Sequence, residues 1–197
     1  MKIEIIVSMV AAVVWIAVEA YLILRDQVGG KGTTTLDRRT RNYNTISLVL
    51  ALCLSPLICS LPALRFAGFQ APVAFWAGIV TMCSGFLLRH WSIHILGKYF
   101  RTTVELARDH KVIQMGPFRY IRHPSYSGMI LFCIGYGLVA QNWLSLIAAV
   151  LFPTVSLLYR IKIEEAALVQ GIGVEYEQYQ KKIKKTDTQD LVNKAIA

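Results

Sequence analysis

Five apolar blocks constrain this chain more than any other feature: Ile3–Leu24, Thr45–Leu64, Pro72–Leu96, Ser125–Ala140 and Trp143–Arg160. A transmembrane helix takes roughly 20 mostly apolar residues. The first three blocks meet that length. The last two are shorter, and only Gln141 and Asn142 separate them, so they read as two antiparallel helices joined by a tight polar tip. Hydrophobic residues make up 55% of the chain and charged residues 17%, against about 25% charged in a soluble domain. The expected fold is therefore an all-α integral membrane protein of about five transmembrane helices, with a C-terminal helical hairpin. The first block is too long for the apolar region of a signal peptide, about 7–15 residues, and reads as a retained helix.

Positive charge alternates along the connections. Arg25, Lys31, Arg38, Arg39 and Arg41 follow the first block, and Arg65 alone follows the second. Lys98, Arg101, Arg108, Lys111, Arg119 and Arg122 follow the third, the tip at 141–142 has none, and the tail from Arg160 onward is basic again. Under the positive-inside rule this order predicts an outside N-terminus and a cytoplasmic C-terminus. The net charge of +9 then reflects loops facing anionic lipid, and no nucleic-acid partner is expected. Cys53, Cys59, Cys83 and Cys133 lie inside apolar blocks without CxxC spacing and read as small packing residues. The Gly29–Thr33 stretch lacks the spacing of a phosphate loop.

The chemistry concentrates in the second half. GPFRYIRHPSYSG, residues 116–128, brings two arginines and a histidine to the mouth of the fourth block. Pro124 suits the first turn of the helix that follows, and His123 before it is held extended. At the far end of the hairpin stands RIKIEE, residues 160–165, where Arg160 and Glu164 share a helix face. A two-residue tip returns both clusters to one membrane face, which predicts a cytoplasmic pocket walled by the 97–122 loop. Glu19 lies inside the first block as a carboxylate without an evident partner. His90 and His94 are four apart but lack a third ligand, so no metal is expected. Trp15, Trp76, Trp91 and Trp143 read as packing and interface residues.

Arg122–Gly128, then Arg160, Glu164 and Glu165, then Gly173-Val174-Glu175-Tyr176-Glu177-Gln178-Tyr179 resemble the isoprenylcysteine carboxyl methyltransferases, within a wider group that includes phospholipid methyltransferases. The resemblance covers about the last hundred residues. It implies S-adenosylmethionine as methyl donor and S-adenosylhomocysteine as product. It also implies cofactor contacts at His110, Lys111, Val112, Ile113, Phe118, His123, Pro124, Ser125, Tyr126 and Glu164. Phe118 stands where the family has a tyrosine, and Thr103 where it often has a glutamine. The expected organisation is one membrane-embedded domain, 1–197, with N-terminal helices at 1–70 and a catalytic core at 71–197.

The implied acceptor is the carboxylate of a prenylated cysteine or similar isoprenoid acid, entering from the lipid bilayer. A carboxylate is ionised at neutral pH and needs positioning but no general base. A guanidinium matches it with two parallel hydrogen bonds, which makes Arg160 the expected catalytic clamp. The alternatives are a phospholipid N-methyltransferase, a sterol-type membrane reductase, and a non-enzymatic transporter or scaffold. The expected location is the endoplasmic reticulum of a eukaryote or the plasma membrane of a prokaryote. For the topology, a cysteine placed at position 142 should be labelled only from outside, and one at 185 only from inside. Labelling of both from one side contradicts the assignment.

Overall fold

The computed structural model describes residues 3–29, 35–59, 64–68, 70–103 and 112–183. Among these, six α-helices follow in order: α1 (Ile3–Gly29), α2 (Thr35–Cys59), α3 (Gln70–Leu96), α4 (Pro124–Val139), α5 (Trp143–Ile172) and α6 (Val174–Lys182). The longest, α1, α3 and α5, are each long and apolar enough to cross a membrane, and α4 is a shorter apolar helix. Their outer faces carry exposed Val13, Leu87, Trp76 and Val155, as expected of surfaces that meet lipid.

Two boundaries differ from the apolar blocks. Helix α2 begins at Thr35 with TLDRRTRNYN, because arginine and leucine are good helix formers even where the sequence is too polar to span. Helix α5 runs unbroken for 30 residues through Gly171 and stops only at Gly173, whose φ is +71°. The fifth block and the RIKIEE segment are thus one rod about 45 Å long at 1.5 Å per residue. Cys133 is buried, whereas Cys53 and Cys83 sit on outer helix faces, so the packing reading holds for Cys133 and not for those two. Trp15 is a core residue, 3.9 Å from the Phe132 ring, while Trp76, Trp91 and Trp143 are exposed.

Helices α3 and α4 meet along a seam of glycines, Gly78 and Gly85 on one and Gly128 and Gly135 on the other. A Cβ at Gly128 would lie 2.7 Å from the Arg89 nitrogen and one at Gly78 2.8 Å from the Gly135 oxygen, while at Gly85 and Gly135 it would overlap the facing backbone. Small residues permit this approach, and packing and weak backbone contacts replace the hydrophobic driving force that lipid removes.

The α4–α5 turn is held equally firmly. Asn142 caps α5 by accepting from the Leu144 and Ser145 amides at 2.9 and 3.2 Å. Pro56 inside α2 cannot supply the amide that the Leu52 carbonyl would otherwise accept. The Tyr136 hydroxyl of α4 donates to that carbonyl at 2.7 Å.

Enlarging the seam should be costly, because backbone and not a flexible side chain stands in the way. Gly85→Ala and Gly135→Ala should each lower stability by about 1–3 kcal/mol, read by thermal unfolding in detergent. Val80→Ala, on an exposed position of the same helix, should change it little. Equal effects at the three positions contradict the seam.

Candidate active site

His123 precedes α4 with φ −124° and ψ 61°, so it is not in the extended conformation expected before a proline; Pro124 occupies the first turn. One turn later Tyr126 stacks on the His123 ring, with centroids 5.6 Å apart. The end of α5 returns beside this entrance. The Tyr126 hydroxyl donates to Glu164 Oε2 at 2.5 Å and accepts from Arg160 Nε at 2.8 Å. Arg160 and Glu164 are therefore joined through a phenol. Arg160 Nη2 also donates to the Thr102 carbonyl at 2.5 Å, so two of its nitrogens fix the plane of the guanidinium.

Glu165 points the other way, since neighbouring residues on a helix diverge by about 100°. Its Oε1 lies 3.2 Å from Arg122 Nη1 and 3.1 Å from His123 Nε2. Glu164 thus faces the phenol, while Glu165 braces the loop before α4. Helix α6 folds back over this loop, and the Tyr179 hydroxyl donates to the Phe118 carbonyl at 2.7 Å. Burial, followed by the Glu165 and Glu164 charges, pushes the Tyr176 phenol far above its usual range, so it stays protonated.

Two cavities meet at Tyr126. The larger, about 120 Å³, is lined by Val112, Ile113, Phe118, His123, Pro124, Ser125, Tyr126 and Glu164, together with Thr103. These are eight of the ten expected cofactor contacts; His110 and Lys111 lie outside the described residues. Arg160 does not line it. It stands behind Tyr126 and lines the smaller cavity, about 40 Å³, with Arg41, Arg89 and Arg101. Among the described residues that line the smaller cavity, Glu19 is the only carboxylate. His90 and His94 line a separate hollow against α1, where His90 Nδ1 lies 2.8 Å from the Phe86 carbonyl.

Several contacts here were not evident in the sequence. Glu19 has a partner, Arg89, with Oε1 2.6 Å from Nη2; Arg89 Nη1 also donates to Ser125 Oγ at 3.0 Å. Asp26 binds Thr102 and Arg101. Tyr176 and Tyr179 wall the larger cavity. Both tyrosines stand in the Gly173–Tyr179 stretch that carries the family resemblance, and their spacing, three apart in an otherwise polar helix, puts them on one face.

Residues 76–170 match the isoprenylcysteine carboxyl methyltransferase family, a span that runs from α3 to the end of α5. Through these residues the chain is similar to that family. It is 35% identical over 128 residues to a protein-S-isoprenylcysteine O-methyltransferase of Schizosaccharomyces pombe, covering 61% of this chain and 53% of the relative. It is 32% identical over 110 residues to a probable protein-S-isoprenylcysteine O-methyltransferase of Oryza sativa subsp. indica, covering 55% and 58%. The alignments thus span little more than half the length of these relatives. A solved structure of a eukaryotic intramembrane Ras methyltransferase, an isoprenylcysteine carboxyl methyltransferase without a monobody, shares the fold. Its TM-score is 0.51 at 16% identity, over 93% of this chain and 96% of that one. The family match and the three helices long and apolar enough to cross a membrane together support membrane association.

The phenol linking Arg160 and Glu164 can be tested directly. Tyr126→Phe keeps the ring against His123 but removes the shared partner of two buried or half-buried charged groups. It should cost about 1–3 kcal/mol, measured by unfolding in detergent. Wild-type stability in this variant contradicts the bridge.

Proposed function

We propose that the chain is an integral membrane enzyme that transfers a methyl group from S-adenosylmethionine to the carboxylate of a prenylated cysteine or similar isoprenoid acid. The observation that carries this reading is the shared Tyr126 wall between two chemically unlike cavities. The larger offers the Glu164 carboxylate amid Phe118, Ile113 and Leu168, with Arg122 and the shared Arg101 also in its wall; the carboxylate and the ring fit a cationic sulfonium attached to a flat aromatic base. The smaller gathers Arg41, Arg89, Arg101 and Arg160, which fits an anion. At about 40 Å³ it takes a carboxylate head or a water or two but not an isoprenoid tail.

S-adenosylmethionine, when bound, supplies a methyl group on a positive sulfur, and its transfer to a carboxylate exchanges a C–S bond for a C–O bond without moving a proton. What remains for the protein is alignment and the exclusion of water. Arg160 is the proposed catalytic clamp, its plane set by Tyr126 and Thr102. Glu164 is the proposed counter-charge for the donor, and His123, Pro124, Ser125, Val112, Ile113, Phe118, His110 and Lys111 complete the proposed donor site. Methylation of a phospholipid amine would place a cation beside four arginines and, among the described residues, a single carboxylate, Glu19, a net repulsion that disfavours it. In the proposed membrane placement the chain makes five spans, with both cavities near the cytoplasmic face. The charge alternation of the connections supports that orientation.

Isothermal titration of the purified chain should detect S-adenosylhomocysteine and give no signal with a nicotinamide dinucleotide. His123→Ala and Glu164→Ala should each weaken binding at least tenfold, about 1.4 kcal/mol. Arg160→Lys should bind the product normally yet methylate N-acetyl-S-farnesylcysteine far more slowly, because the planar fork is lost. Wild-type turnover in Arg160→Lys, or efficient methylation of phosphatidylethanolamine by the unaltered chain, overturns the carboxylate reading.

A further inference from the structure

Helix α1 lies outside the family-matched residues, yet its last described carboxylate reaches the active-site arginine through a single intermediate residue. Asp26 Oδ2 accepts from the Thr102 amide at 2.8 Å and from the Thr102 hydroxyl at 2.5 Å, while Oδ1 accepts from Arg101 Nη1 at 3.1 Å. One carboxylate oxygen thus holds both donors of one residue. The carbonyl of that same residue accepts from Arg160 Nη2 at 2.5 Å.

Thr102 lies in irregular backbone, so no helical ladder fixes the rotation of its peptide units. Both partners are nearly buried: Thr102 is 9% exposed and the Asp26 side chain likewise 9%. Water cannot easily replace this anchor, and a hydrogen bond to a charged group is worth about 1.5–3 kcal/mol.

We propose that Asp26 is a positioning residue for Arg160: by fixing Thr102 it holds the guanidinium in the orientation that receives the acceptor carboxylate. This rests on the carboxylate reading above. Merely structural docking of α1 is a separate role, and Glu19 seven residues earlier serves it by pairing with Arg89. What sets Asp26 apart is that its anchored residue presents its carbonyl to Arg160.

The test uses the full chain in lipid nanodiscs with S-adenosylhomocysteine bound. Affinity is measured for N-acetyl-S-farnesylcysteine and for its uncharged amide. The unaltered chain should prefer the acid by about tenfold or more, and Asp26→Ala should reduce that preference to about threefold or less. S-adenosylhomocysteine affinity should stay within about threefold of the original. Combined with Arg160→Lys, which has already lost the planar fork, Asp26→Ala should cause little further loss, because both changes act on one interaction. If Asp26→Ala does not fold, Asp26→Asn, which keeps the shape and removes the charge, carries the same measurements. A retained preference for the acid, fully additive losses, or a parallel collapse of S-adenosylhomocysteine binding overturns the positioning role. No preference in the unaltered chain overturns the carboxylate reading itself, and this inference with it.

Discussion

The close approach of α3 and α4 is the constraint from which the site follows. With glycines facing backbone at Gly85, Gly128 and Gly135, the two helices have no room to slide or rotate past each other. That fixes Arg89 of α3 beside the first turn of α4, where its Nη1 reaches Ser125. Ser125 and Tyr126 are consecutive, so the seam also fixes where the phenol emerges. A looser, leucine-filled contact would hold the helices together but leave this register to compete with others.

Upon that frame stand ion pairs whose worth is not chiefly stability. Glu19–Arg89, Asp26–Arg101 and Arg122–Glu165 all involve side chains largely removed from water. Taking two charges out of water costs several kcal/mol per ion, and their attraction often only offsets it. What such pairs do supply is an arrangement that becomes strongly unfavourable if either partner moves. Each joins a different pair of segments: α1 to α3, α1 to the stretch after α3, and the loop before α4 to α5. Glu19 and Asp26 of α1 are seven residues apart, hence on one helix face. That face is the one α1 turns to the arginines of the core.

Much of this was legible in the sequence, because it depends on local pattern. Apolar blocks gave helices, proline marked the start of α4, and the short Gln141–Asn142 tip brought Arg160 and Glu164 back to Tyr126. Other features depended on partners distant along the chain. Nothing near Glu19 announces Arg89, 70 positions away. The division of labour between Glu164 and Glu165 depends on which face of α5 meets α4. Gly171 does not interrupt α5, since one glycine costs a helix only about 1 kcal/mol. The packing of Leu168, Val169 and Ile172 against Tyr176 and Tyr179 outweighs it. Arg160 fell on the expected helix face but behind Tyr126, a depth that helical periodicity does not encode.

The unbroken length of α5 bears on where such chemistry can operate. In the proposed membrane placement, a hydrocarbon core of about 30 Å is spanned by the first two-thirds of a rod of about 45 Å. Arg160 then comes about 26 Å along the helix from Trp143, near the edge of that core. Glu164 and Glu165 follow one turn later. Deeper in the bilayer, a cluster of arginines would pay a much larger desolvation penalty. Farther out, water would screen their attraction for an anion and compete for its lone pairs. An isoprenoid acid has the same division, with a tail that belongs in hydrocarbon and a carboxylate that does not. A site at this depth can bind the head without extracting the tail. The course of α5 is therefore what brings Arg160, at the end of the apolar block, and Glu164, one turn beyond it, to the depth at which an amphiphilic acceptor would present its nucleophile.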